Sequence, residues 1–285
     1  MNKPMCALSQ PLVSKVPADK PRPFVKWVGG KRSIMPKLLM RLPGAGAYKT
    51  YNELFIGGGA LFWEVLPSKA VIADTNPHLI ATYRAIKDDV QGVVSLLKKH
   101  KRLHSKAHFS QVRERLLQER SDVEVASDFI YLNKTCFNGL FRVNSKGMFN
   151  VPMGRYESPA ILDEANLVLC SKALQGTTIS HSDFSKARPA KGAFYYLDPP
   201  YHQTFSGYSK TGFTEERHQE LANLCREIHK KGGFFMLSNS DTPFIRDIFK
   251  GLEMEVVSAG RYISCKGDQR GRTGELLIRN YDTTT

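Results

Sequence analysis

Two spacings of apolar residues alternate along the chain, and they predict short strands separated by helices. Residues 51–55 read as a buried strand, broken by Gly57-Gly58-Gly59 and followed by a helical stretch over 60–66. Ala70-Val71-Ile72-Ala73 is the next strand, ending at Asp74. A strand, a glycine turn, a helix and a second strand closed by an acid make a βαβ unit. Upstream, Gly29-Gly30-Lys31 leads into an amphipathic segment over 33–42. Residues 78–133 change character, with long helical patterns, many charges and few Gly or Pro. Residues 134–156 are short-ranged and rich in Asn, Gly and aromatics, and Asn144-Ser145-Lys146-Gly147 reads as a hairpin turn between two strand-like pieces. Strand signals return at 177–179, 194–197, 234–237 and 254–257, with a helical pattern over 215–230. The expected fold is α/β: a Rossmann-like sheet with a helical and β-hairpin insertion after its second strand.

Composition narrows the partner. With 41% hydrophobic residues the 285-residue chain has material for a core, and no apolar run reaches membrane length. Lys3, Lys15, Asp19 and Lys20 interrupt the N-terminus, so no signal-peptide core is expected there. The five cysteines are scattered without a CxxC pair, which speaks against a disulfide framework or a cysteine zinc site. These features fit a soluble, cytoplasmic protein. The net charge of +14 suits a polyanion, with nucleic acid weighed against membranes and acidic proteins.

The sharpest chemical signal is Asp198-Pro199-Pro200-Tyr201, directly after the apolar strand at 194–197. Ligands of open α/β sheets collect outside the carboxyl ends of strands, where this tetrapeptide falls. Two prolines remove two N–H donors, leaving carbonyls and the Asp198 carboxylate as acceptors beside an aromatic face. That cluster suits a planar group carrying an NH₂, bonded to Asp198 and the Pro199 carbonyl and stacked on Tyr201. Gly57, Gly58 and Gly59 with Asp74 downstream suit a nucleoside approaching the backbone. A dinucleotide fingerprint fails because Phe62 takes its last small position. A phosphate loop at Gly29-Gly30-Lys31 fails at Val25 and Arg32.

Phe24-Val25-Lys26-Trp27-Val28-Gly29-Gly30-Lys31, Phe55-Ile56-Gly57-Gly58-Gly59 and Asp198-Pro199-Pro200-Tyr201, in that order, resemble the site-specific DNA adenine-N6 methyltransferases of the Dam type, in alpha-group motif order. Residues 131–156 are similar as well, as are Arg261-Tyr262-Ile263-Ser264 and Gly274-Glu275-Leu276-Leu277. The resemblance implies S-adenosylmethionine as methyl donor and no metal. It places Trp27, Lys31, Phe55, Gly57 and Gly59 in the cofactor site, Asp74 on the ribose hydroxyls, Asp183 and Phe184 at the cofactor's adenine, and Asp198 between cofactor and target amine. It implies a flipped adenine in duplex DNA, within GATC, read by Lys26, Leu140, Arg142, Pro152 and Tyr156, with Phe137 and Asn138 entering the opened stack. Thr135, Cys136 and Phe137 depart from the Tyr-Gly-Tyr of enteric relatives, so Phe137 keeps a stacking face without a hydroxyl.

The expected division is a flexible basic arm at 1–21, a catalytic part at 22–77 and 161–285, and a recognition part at 78–160. His100, His104 and His108 have metal-like spacing, but five nearby Lys and Arg side chains favour a solvated or phosphate-facing basic face. Residues 266–272 read as either a DNA-backbone clamp or a hairpin loop. Rival readings are a cytosine-N4 methyltransferase, a catalytically silent DNA-binding regulator and, more distantly, a nicotinamide oxidoreductase. The expected partner is double-stranded DNA, bound by a monomer, with any restriction endonuclease on a separate chain.

Overall fold

The computed structural model describes residues 20–115, 120–144, 148–203, 213–257 and 274–282. The expected arm at 1–19, the turn tip at 145–147, the motif at 261–264 and the basic segment at 266–272 lie outside the described residues. Lys20 and Pro21, assigned to the arm from sequence, are described: Lys20 pairs with Glu64, and Pro21 is buried.

Seven strands form one sheet: β1 Thr50–Glu53, β2 Ala70–Asp74, β3 Thr177–His181, β4 Ala193–Leu197, β5 Phe234–Ser240, β6 Glu253–Val257 and β7 Glu275–Arg279. Their order is β3-β2-β1-β4-β5-β7-β6. The first five are mutually parallel, and β7 runs antiparallel between β5 and β6. The chain moves outward from β1 to β3, then returns to lay β4 against the other side of β1. That reversal opens a crevice beyond the carboxyl ends of β1 and β4, the standard ligand position in such sheets.

Strand alternation assigns the two faces. Phe194, Tyr196, Met236 and Leu277 join one apolar cluster, while Tyr195, Leu197, Phe235, Leu237, Leu276 and Ile278 join the other. The second face is covered by α8 Glu215–Lys230 and α9 Pro243–Ile248. The first is covered by the segment between β2 and β3: α3 Pro77–Asp88, α4 Val90–Leu103, α5 Lys106–Arg115, α6 Asp122–Thr135 and α7 Glu164–Ala173. Helix α6 starts in a Ser121/Glu124 capping box and is buried on nearly every side, so it shows no amphipathic stripe.

Differences from the sequence expectation have local causes. The helix expected over 33–42 is only α1, Met35–Leu39, and the one over 60–66 is only α2, Phe62–Val65, ended by Leu66 in the left-handed region. The strand-like pieces around 144 are held by single bridges, Val143 to Phe149 and Cys136 to Met153, rather than by a ladder. No helix among the described residues is long and apolar enough to cross a membrane.

Candidate active site

Register places the site. Glu53 of β1 pairs with Tyr196 of β4, so the 54–59 loop and Asp198-Pro199-Pro200-Tyr201 leave the sheet side by side. Glu275 opens β7 opposite Ser240, at the same edge. Lys31, only 5% exposed, reaches this lip: its Nζ lies 2.6 Å from Asp198 Oδ2 and 4.0 Å from Glu275 Oε1. It also donates to the Gly29 carbonyl at 2.8 Å and sits 5.0 Å from the centre of the Tyr201 ring. The Tyr201 hydroxyl donates to Glu275 Oε1. Asp198 Oδ1 is withdrawn from solvent and has no hydrogen-bond partner among the described residues. Burial pushes the Asp198 carboxyl above its ordinary range, with Lys31 and, more weakly, the Tyr201 hydroxyl opposing. Burial does the same to Glu275, again against Lys31. Glu53, behind the lip, is pushed up to about 8 by burial despite its 2.5 Å hydrogen bond from the Tyr51 hydroxyl. Two carboxylates thus face one ammonium, an excess of negative charge with one open acceptor.

A second grouping surrounds the glycine turn. Asp74 Oδ2 accepts from the Gly57 amide at 3.1 Å and Oδ1 from the Asn76 amide at 2.9 Å, tying the end of β2 to the turn. Burial raises the Asp74 carboxyl, and these amides oppose the shift. Gly57 (φ +46) and Gly59 (φ +69) have left-handed backbone, and Gly57 lies under the Trp27 indole, where a Cβ would come within 2.6 Å of the ring. The expected ligand approach therefore shares these glycines with a packing demand. Trp27 in turn stacks on Phe141 at 6.3 Å.

The third grouping is aromatic. Phe55 packs on Phe184 at 5.4 Å and on Phe213 at 6.0 Å. Arg217 lies 4.4 Å above the Phe184 ring and donates from Nη2 to both Asp183 oxygens, at 2.7 and 2.6 Å. Burial would raise the Asp183 carboxyl, but bonds from Ser185 and Arg217 hold it below its ordinary value.

The expected recognition residues also gather. Lys26 Nζ lies 4.7 Å from the centre of the Tyr156 ring, and 3.4 Å from the hydroxyl to which it donates. Phe137 is 52% exposed, its amide bonded to the Pro152 carbonyl at 2.9 Å. Asn138 follows at φ 54°, left-handed for a non-glycine residue. Leu140 packs against the core, and exposed Arg142 donates from Nε to Asn150 Oδ1 at 2.8 Å.

The three histidines require a correction. His100 is buried, and its Nε2 meets Asp128 Oδ1 at 3.0 Å. His104 bonds the Tyr131 hydroxyl at 2.9 Å, and His108 lies 2.9 Å from His100. They are the polar lining between α4, α5 and α6, not a solvated or phosphate-facing surface. Their periodicity recorded packing on Tyr131, and the surrounding lysines project outward instead. Among the described residues no group of three or more His, Cys, Asp or Glu is placed to hold a metal ion.

A family model for the D12 class N6 adenine-specific DNA methyltransferase matches residues 27–263. The chain belongs to that family. It is 38% identical to the Type II methyltransferase M1.LlaDCHI of Lactococcus lactis subsp. cremoris over 91% of its own length and 95% of the relative's. It is 38% identical to the Type II methyltransferase M.MjaIII of Methanocaldococcus jannaschii, covering 91% and 99%. A DNA adenine methylase of Vibrio cholerae is 33% identical over 90% and 95%. The seven-stranded α/β sheet fits a Rossmann-like methyltransferase of this class.

In this D12 methyltransferase, sequence reasoning assigned no role to three residues of the site. Glu275 is an acid at the head of an otherwise apolar strand, a signal that was visible but went unused. Glu53 gave the same signal more weakly. Asn133 gave none, yet its Oδ1 accepts from the Lys26 amide and its Nδ2 donates to the Lys26 and Gly139 carbonyls, all within 2.8 to 2.9 Å. It fastens the Lys26-Trp27 segment to the turn that presents Phe137 and Asn138.

Proposed function

We propose that the protein transfers a methyl group from S-adenosylmethionine to N6 of an adenine flipped out of duplex DNA, within GATC. The observation that carries this reading is Asp198 Oδ1, an open acceptor held at the lip by a carboxylate whose other oxygen is paired to Lys31. The donor set fits the cofactor: a surplus of carboxylate suits a cationic sulfonium, Asp74 suits vicinal hydroxyls, and Asp183 beside Phe184 and Phe55 suits an aminopurine. When bound, S-adenosylmethionine would supply an electrophilic methyl group and leave as S-adenosylhomocysteine, the methylated amine giving up one proton. Trp27, Lys31, Phe55, Gly57, Gly59, Asp74, Asp183 and Phe184 would hold it.

The target amine is a poor nucleophile because its lone pair is delocalised into the ring. Asp198 and the Pro199 carbonyl accept its hydrogens, draw it towards tetrahedral geometry and stabilise the positive charge developing on nitrogen. Pro200 keeps this backbone rigid and without a donor. Tyr201 offers the stacking face for the extruded base, and alignment supplies much of the remaining acceleration. Phe137 and Asn138 occupy the opened stack. Arg142, steered by Asn150, reads a guanine edge, with Lys26, Leu140, Pro152 and Tyr156 beside it.

In this reading, residues 78–160 serve recognition and 22–77 with 161–285 serve catalysis, in a cytoplasmic enzyme acting on DNA as a monomer. A companion restriction endonuclease on another chain is compatible with the Type II names of two relatives. The test is labelled methyl transfer to duplex DNA, followed by nucleoside analysis and digestion with nucleases that read GATC methylation. N6-methyladenine confined to GATC is expected. Methyladenine elsewhere would remove the specificity assignment, and methylcytosine would remove the substrate.

A further inference from the structure

Glu275 is 3% exposed, between Ser240 on one side of the ladder and Val257 on the other. The next three residues of β7, Leu276, Leu277 and Ile278, are fully buried and apolar. Ladder pairing uses only the Glu275 backbone; within the sheet its carboxylate finds the Ser238 side chain of β5, one hydrogen bond for a group that is costly to bury. What the side chain does is face the lip: it receives the Tyr201 hydroxyl and lies 4.0 Å from Lys31, which is itself on Asp198. Of its partners, Tyr201 and Lys31 flank the open acceptor.

We propose that Glu275 is a positioning residue for methyl transfer: from β7 it fixes the Tyr201 ring and holds Lys31 against Asp198 Oδ2, which keeps Asp198 Oδ1 directed at the amine. The proposal rests on the reading of Asp198 as that acceptor. Tyr201 is the stacking face, so the same contact that orients the lysine also orients the base. Among the described residues, the charged and titratable groups facing Glu275 are Asp198 and Tyr196 with β4, Tyr201 beyond it and Lys31 ahead of α1. Glu275 adds negative potential beside Asp198. Neutralising Glu275 therefore lets Asp198 ionise more readily.

The test compares Glu275→Leu and Glu275→Gln with wild type in single-turnover methyl transfer across pH. Thermal melting, and calorimetric titration of S-adenosylmethionine onto each protein, are measured in parallel. Lys31 keeps Asp198, but the Tyr201 and Ser238 hydroxyls lose their acceptor, so Glu275→Leu should melt somewhat lower than wild type and is assayed well below its transition. Its transfer rate should fall about tenfold to a hundredfold through misalignment, with cofactor affinity within about twofold. Glu275→Gln still accepts the Tyr201 hydrogen. It should recover much of the lost rate, with the acid limb of its pH profile moved to lower pH. A folded Glu275→Leu with the wild-type rate would overturn the proposal. So would equal losses of rate, cofactor affinity and melting temperature in both variants, which mark a structural acid. Should Glu275→Leu not fold, an unmoved acid limb in Glu275→Gln would be enough to overturn it. Asp198→Ala separates the two layers of the argument: if it retains transfer, the acceptor reading itself fails. If it loses transfer while Glu275→Leu keeps it, only the role of Glu275 fails.

Discussion

Asp128 in the helical layer and Asp198 at the lip of the sheet are both carboxylates withdrawn from water beside cations, and their surroundings differ in one respect. Asp128 Oδ1 meets His100 at 3.0 Å and Arg115 at 2.9 Å, while Oδ2 meets Arg115 at 2.9 Å and Arg120 at 2.8 Å. Burial pushes the carboxyl up, but these bonds outweigh it and hold it at about 2. Asp198 has Lys31 on one oxygen and nothing on the other among the described residues, and its carboxyl is raised. Both Asp128 oxygens are satisfied and tie α4, α5 and α6 together, although Arg120 Nε in the same cluster has no partner among the described residues. An unsatisfied acceptor costs stability, and the one on Asp198 stands at the carboxyl end of β4, where a ligand could complete it. The contrast separates architecture from chemistry more clearly than burial or charge does alone.

Removing the cation at the lip should have the largest effect. Lys31→Met leaves Asp198 and Glu275 without that cation, so methyl transfer should drop about a hundredfold to a thousandfold. The acid limb of the rate profile should move to higher pH, because the charge that holds Asp198 down is gone. A wild-type profile in this variant would place the lysine outside the chemistry. In the helical layer, Asp128→Asn should cost about 3 kcal/mol in urea unfolding, since it strands Arg115, Arg120 and His100. Transfer per folded molecule should stay unchanged. A selective loss of transfer would erase the distinction between the two acids.

Arg142→Ala should weaken use of the target site by about 1–3 kcal/mol and relax the preference at one base pair, measured as kcat/KM on matched and mismatched duplexes. A uniform loss on all DNA would reduce Arg142 to a phosphate contact. Glu53 has the smallest expected effect on transfer and acts on stability instead. Its folded value near 8 lies above its ordinary 4.5, so the native state holds a proton that the unfolded chain releases. Stability is then fully present below about pH 4.5 and is lost as pH rises towards 8, by at most about 1.4 kcal/mol per pH unit. Glu53→Gln should flatten that slope in chemical unfolding between pH 5 and 8, a window set by those two values.

The parts legible in the sequence were those written in local pattern. The βαβ unit, the switch after Leu197 and the insertion after β2 follow from strand-length apolar runs, glycines and prolines. The lip was half legible: Asp198 and Tyr201 stand in one tetrapeptide, and Lys31 in the motif around Gly29 and Gly30. Glu275 comes to the lip only because β7 turns back between β5 and β6, a pairing that no periodicity announces. Asn133 was silent altogether, since a buried asparagine in a helix buried all round carries no spacing signal. The histidines show the opposite failure: a spacing that matched a metal-ligand pattern served packing on Tyr131.

The central claim is that Asp198 acts on the substrate rather than on the fold. The direct measurement is single-turnover methyl transfer to duplex DNA by Asp198→Ala, alongside its DNA affinity and its unfolding midpoint. The account predicts that transfer is abolished while DNA binding is retained and the protein still folds, its midpoint lowered only by the loss of the Lys31 pair. Joint loss of transfer, DNA binding and stability would contradict it and make Asp198 a structural residue like Asp128.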